Sequence, residues 1–109
     1  MEIIKECQIP ANFTGIYEDR HGQKYWYKNG KWHREDGPAI THKNGDEIFY
    51  INGFLIYASY YGPFDLENCI ILSKEQHPEY PTCQLLKYVN EHGIKEQIII
   101  PGMEKWFME

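Results

Sequence analysis

The densest polar cluster in the 109-residue chain is His33-Arg34-Glu35-Asp36. An imidazole near a carboxylate can transfer a proton, and a guanidinium can clamp a phosphate or carboxylate. The same residue types equally suit a braced turn. Asp36 precedes Gly37-Pro38 and can accept hydrogen bonds from its own turn, with Arg34 bracing that turn from the neighbouring strand. The braced turn is the preferred reading, because no second polar cluster faces or repeats this one. A small hydrolase using His33 and Asp36 is the disfavoured alternative, and the sequence leans against an enzyme without excluding one.

The remaining reactive side chains are scattered. His21, His33, His42, His77 and His92 lack a compact metal spacing, so no metal site and no cofactor is expected. Cys83 could pair with His77 or His92 as a nucleophile, but its apolar neighbours favour a buried structural thiol. Cys7, Cys69 and Cys83 are odd in number and widely spaced, which is no disulfide framework and suits a reducing compartment. Tyr27-Lys-Asn-Gly-Lys31 holds one glycine and is no phosphate-binding loop.

The net charge of −5 does not favour nucleic acid or anionic lipid as a default partner. Residues 20–43 run against that balance, with Arg20, Lys24, Lys28, Lys31, Arg34 and Lys43 against Glu35 and Asp36. Tyr25, Trp26, Tyr27 and Trp32 are interleaved with those cations. RNA or single-stranded DNA binding through Lys24, Lys28, Lys31 and Arg34 is therefore the alternative function. Further along, Tyr57, Tyr60 and Tyr61 form a tyrosine-rich stretch. With Trp32 and Arg34, and with Asp65 and Glu67 as an acidic rim, they compose a candidate protein-binding surface.

These residues must be positioned by something, and internal self-similarity says what. Shifted by 23 positions, Gly22 falls on Gly45, Tyr27 on Tyr50, Asn29 on Asn52 and Gly30 on Gly53, while Trp26 falls on Phe49. That period fits one β-hairpin per unit. Asn-Gly takes the two positive-φ positions of a type I′ turn, so Asn29-Gly30 and Asn52-Gly53 are expected hairpin tips. His21-Gly22 and Asn44-Gly45 are expected to return the chain. Lys24–Lys28 and Glu47–Ile51 then read as strands, and residues 14–61 as a meander of about six short strands.

Residues 64–109 read differently. Asn68–Leu72 and Lys95–Ile100 suggest strands. Between them Cys83, Leu85, Leu86, Tyr88 and Val89 cluster on one helical face, with Thr82 or Pro81 at its start and Gly93 past its end. The expectation is an α+β fold in one domain spanning 1–109: hairpin repeats over 14–63, packed with a strand–helix–strand unit over 64–109.

Tyr25-Trp-Tyr-Lys-Asn-Gly-Lys-Trp-His-Arg-Glu-Asp-Gly-Pro-Ala-Ile40 resembles the MORN-variant repeat of bacterial and phage proteins. Copies of that repeat read as an aromatic strand, Asn-Gly, then His-Arg-x-Asp-Gly-Pro-Ala. Trp26, Tyr27, Asn29, Gly30, His33, Arg34, Asp36, Gly37, Pro38 and Ala39 meet this pattern. The second unit keeps Phe49, Tyr50, Asn52 and Gly53, then departs at Ile56-Tyr57-Ala58-Ser59, and its Gly62-Pro63 is displaced by two residues. The resemblance covers residues 22–63 and does not reach the C-terminal part. It implies a β-hairpin scaffold used for protein contact and a small phage accessory protein, and it supplies no catalytic mechanism.

The leading expectation is thus a non-catalytic protein-binding module, a phage-encoded inhibitor or adaptor of a host protein. The acidic start of the chain and its short apolar runs give neither a signal peptide nor a membrane span. The expected location is the cytoplasm, that of the host if the chain is phage-encoded. Oligomeric state is left open by the sequence.

Overall fold

The computed structural model describes residues 3–4, 9–64, 66 and 68–107. Ten strands make up nearly all of its regular structure: β1 (Ile3–Ile4), β2 (Gly15–Glu18), β3 (Lys24–Lys28), β4 (Lys31–Trp32), β5 (Ile40–Thr41), β6 (Glu47–Ile51), β7 (Phe54–Ala58), β8 (Ile70–Gln76), β9 (Gln84–Asn90) and β10 (Gly93–Ile99). Two single turns of 3-10 helix, Ser59–Tyr61 and Glu104–Trp106, complete it. The chain divides into two compact units, one of residues 1–34 and 38–60, the other of residues 35–37 and 61–109.

The first unit is a seven-stranded sheet in the order β1-β2-β3-β5-β6-β7, with β4 paired to β3. All its pairs are antiparallel except β1 with β2. Both Asn-Gly turns form as expected. Asn29 and Asn52 sit at φ 51° and 49°, and Gly30 and Gly53 at 79° and 80°. The returning turns also repeat, bond for bond. Asp19 N–H donates to the Gln23 carbonyl at 3.0 Å, and His42 N–H to Asp46 at 2.9 Å. Gly22 N–H reaches Asp19 at 3.1 Å, as Gly45 N–H reaches His42 at 3.0 Å. The 23-residue period is therefore a period of backbone geometry.

The second unit is the antiparallel sheet β10-β9-β8. It corrects the α+β expectation: the described residues contain no α-helix, and 84–90, expected within a helix, form the central strand. Leu86 and Tyr88, two apart, are buried, whereas Lys87 between them is exposed. Leu85, Leu86, Tyr88 and Val89 satisfy a helical stripe and a two-sided strand alike. The neighbours decide. β9 pairs along its whole length with β10 and nearly so with β8, satisfying both edges of its backbone. Gly93, read as a helix stop, instead pairs with Asn90 across the two-residue turn Glu91-His92. The strand also runs beyond the expected Asn68–Leu72, with Ser73, Lys74, Glu75 and Gln76 forming the second half of β8.

Upstream of β9, the prolines and Thr82 belong to a tight connection. Cys83 N–H donates to Tyr80 at 2.8 Å, and the Cys83 carbonyl accepts from His77 N–H at 2.9 Å. The unit closes on aromatic contacts: Phe64 stacks on Phe107 at 4.7 Å and meets Tyr88 edge-on at 5.8 Å. Leu86, Cys83, Ile100 and Met103 are fully buried there.

Gly30 combines a positive φ with a close approach. A Cβ built on it would land on the carbonyl of Ala11, a backbone atom that cannot swing aside. The equivalent position at the returning turn, Gly22, is open. Gly22→Ala should cost about 1 kcal/mol, the left-handed backbone penalty alone. Gly30→Ala should cost at least twice that, read as the difference in denaturant midpoint. Equal costs would show that the Ala11 segment does not pack on the turn.

Candidate functional site: an aromatic band and a braced loop

The loop carrying His33–Pro38 grows from a single residue of β3. Trp26 N–H donates to the Ala39 carbonyl at 2.7 Å, and the Trp26 carbonyl accepts from His33 N–H at 2.9 Å. Both backbone groups of Trp26 thus clamp the loop's neck. Arg34 lies over the Trp26 ring, its guanidinium carbon 3.8 Å from the ring centroid, while Nη1 donates to the Pro38 carbonyl at 3.3 Å. Arg34 thereby braces the turn and covers one face of Trp26.

His33 is 6% exposed, and its Nδ1 accepts the Asn52 N–H at 2.9 Å. An imidazole in the first repeat therefore ties down the Asn-Gly turn of the second. Trp32 reinforces this, since its carbonyl accepts from Gly53 N–H at 2.8 Å. Asp36 falls in the second unit, whereas His33 falls in the first.

Cys83 belongs to the second unit. Its Sγ lies 3.2 Å from the Glu35 carbonyl, which also accepts from the Thr82 hydroxyl. Burial pushes the thiol above its ordinary range, against the opposing effect of the Thr82 hydroxyl. A raised thiol is a poor nucleophile. His77 Nδ1 accepts the Glu79 and Tyr80 N–H groups at 3.0 and 3.2 Å, which makes it a turn residue. The described residues hold no group of three or more His, Cys, Asp or Glu placed to hold a metal ion.

The surface residues named from sequence are distributed as follows. Trp32 is half-buried, Tyr57 is buried, and Tyr60 and Tyr61 are more than half exposed. Trp32, Arg34, Tyr57 and Tyr60 belong to the first unit and Tyr61 to the second. Asp65 and Glu67 lie outside the described residues, as does Cys7. Lys24, Lys28 and Lys31 are exposed, and Lys28 stands directly opposite Lys31 across the hairpin.

What the first unit does assemble is a band of rings across one sheet face. Phe13 meets Tyr27 at 5.9 Å, Tyr27 meets Trp32 at 6.5 Å, and Trp32 meets Tyr50 at 5.0 Å. Leu55, 43% exposed, continues the band as the cross-strand partner of Tyr50. Beneath it Tyr25, Ile40, Ile48 and Ala58 pair in one row across four strands. Tyr25, Trp32 and Tyr50 pack on this Ile40–Ile48–Ala58 cluster. Tyr27, Trp32 and Tyr50 are each partly buried and keep some exposed ring surface. The Trp32 indole N–H is buried and has no hydrogen-bond partner among the described residues.

Tyr27, Tyr50 and Leu55 were not among the protein-contact residues named from sequence, yet the signal was present. A two-residue turn at Asn29-Gly30 forces Tyr27 opposite Trp32, and alternation places Tyr25 on the same face.

Next to this face, Gln23 joins the two returning turns. Its Nε2 donates to Asp19 at 2.8 Å, while its Oε1 accepts from Lys43 N–H at 3.1 Å. The Asp19 carboxylate also accepts the backbone N–H groups of His21 and Gln23. These bonds, led by the Gln23 side chain, hold the Asp19 carboxyl below its ordinary value. Burial first, and Asp19 second, push the Tyr25 phenol up.

No protein-family model, curated protein or solved structure matches the chain. Among the described residues, no helix is long and apolar enough to cross a membrane.

Two outcomes follow from these bonds. His33→Ala leaves the Asn52 N–H without its acceptor and should cost about 1–3 kcal/mol, while His33→Asn recovers part of it. Hydrogen exchange at Asn52 should accelerate in step; unchanged protection would show that the imidazole is not the acceptor. Asp19 has a folded pKa below its unfolded one, so its contribution is present above the unfolded value. It is lost as pH falls through the folded value. Asp19→Asn should therefore flatten the acid limb of the stability profile.

Proposed function

We propose that the chain is a non-catalytic protein-binding module whose contact surface is the aromatic band Tyr27–Trp32–Tyr50–Leu55. The observation that carries this reading is the band itself: adjoining, partly exposed rings and an exposed Leu55 on a hydrogen-bonded sheet. Tyr and Trp supply large contact area with little side-chain entropy to lose, and such rings dominate protein interfaces. The buried cluster of Ile40, Ile48 and Ala58 beneath holds them in place before a partner arrives. Residues 48–64 contain no charged side chain, so the stretch carrying Tyr50 and Leu55 brings no ion of its own into the contact.

The mechanism is occupation of a partner's surface, by shape and apolar burial. The repeat resemblance supports a phage-encoded inhibitor or adaptor directed at a host protein in the host cytoplasm. The basic hairpin Lys24–Arg34 as a nucleic-acid surface is the competing outcome.

The deciding experiment is a pull-down from a bacterial lysate, with and without nuclease. It compares the native chain with Tyr27→Ser/Leu55→Ser and with Tyr60→Ser/Tyr61→Ser, each checked for folding by its melting curve. One protein should be retained with and without nuclease, and the band variant should lose it at least about tenfold. Retention by a folded band variant, or capture that nuclease abolishes, overturns the reading.

A further inference from the structure

The sheet of the second unit ends on β8 at one side and β10 at the other. Six of the seven β8 residues are exposed, as are Ile94, Lys95 and Glu96 of β10. The two-residue turn Glu91-His92 makes Asn90 and Gly93 the hydrogen-bonded pair that closes the β9–β10 hairpin. Alternation from that pair points the backbone groups of Lys95 and Gln97 at β9, and those of Ile94, Glu96 and Ile98 outward. The Gln97 side chain agrees, since its Nε2 donates to the Ile98 carbonyl at 3.0 Å. Carried across β9 to Lys74↔Leu86 and Gln76↔Gln84, the same alternation turns the backbone groups of Lys74 and Gln76 outward on the opposite edge.

The two edges complement each other. We propose that β8 of one copy adds antiparallel to β10 of a second copy, with Lys74 opposite Glu96 and Glu75 opposite Lys95. In this register Ser73 faces Gln97, Leu72 faces Ile98 and Gln76 faces Ile94. Leu72 and Ile94, 52% and 70% exposed in the single chain, gain cover. Outward backbone groups meet outward backbone groups at Lys74–Glu96 and at Gln76–Ile94. A slide of two residues either way keeps that alternation and loses both ion pairs. Pairing β8 with a second β8 centred on Lys74 or on Glu75 sets like charges opposite each other. The charges that guard these edges against an arbitrary strand thus select this one. Because β8 and β10 run in the same direction on either side of β9, the antiparallel junction turns the second copy over. It uses a different edge of each copy, so one β8 and one β10 stay open for further addition.

This surface lies on the second unit and does not depend on the aromatic band. The test is sedimentation equilibrium of the full chain over a wide concentration range, with Lys74→Glu, Glu96→Lys and the double variant. The native chain should gain mass with concentration, and each single reversal should weaken association at least about tenfold. The double variant restores the pair at 74 and 96 with signs exchanged, leaves Glu75–Lys95 as it was, and should recover native association, as should an equimolar mixture of the two single variants. A native chain that stays monomeric, single variants that associate as well as native, or a folded double variant as weak as the singles overturns the proposal.

Discussion

The first unit depends on bonds that run from one hairpin to the next. Asn52 and Gly53 each donate a backbone N–H back to the first repeat, one to the His33 imidazole and one to the Trp32 carbonyl. A lone hairpin is marginal in water, and these two bonds tie the second turn to the first repeat. Fixing the second tip against the end of β4 sets the register of β6, and with it the placement of Tyr50 beside Trp32. The aromatic band follows from that register.

The two repeats diverge for a backbone reason. In the first, Trp26 bonds both ends of the neck, and residues 34–38 are extruded as a loop. In the second, the same place in the ladder holds only a register shift between Phe49 and Tyr50, and β7 continues to Ala58. The His-Arg-x-Asp-Gly-Pro-Ala signature is the sequence of an extruded loop, and Ile56-Tyr57-Ala58-Ser59 is that of a continuing strand. Arg34 has a use only where a loop needs bracing. No charge stands at its counterpart, the buried Tyr57.

Most of the polar residues that suggested chemistry are spent on local geometry. The Nδ1 atoms of His33 and His77 each accept backbone N–H groups. Cys83 is buried and its thiol is pushed up. Outside these bonds the first unit carries its rings and the second its charged strand edges.

The sequence by itself determined what depends on neighbours along the chain. Asn-Gly tips, the 23-residue period and the strands between them were all legible, because a type I′ turn and two-residue alternation are local properties. It also marked Arg34 as a brace, from the Asp-Gly-Pro turn it precedes. Residues 84–90 were not legible in the same way. Leu85, Leu86, Tyr88 and Val89 fit a helical stripe as well as a strand covered on both faces, and Thr82 and Gly93 at its two ends suit a helix's start and stop as well as they suit turns. Only pairing with β8 and β10, which brings together residues up to nineteen apart, satisfies the backbone of both edges and makes the strand the stable choice. The fate of Tyr57 was decided in the same way. Its composition suited an exposed interface, and its position opposite the fully buried Phe49 put it inside.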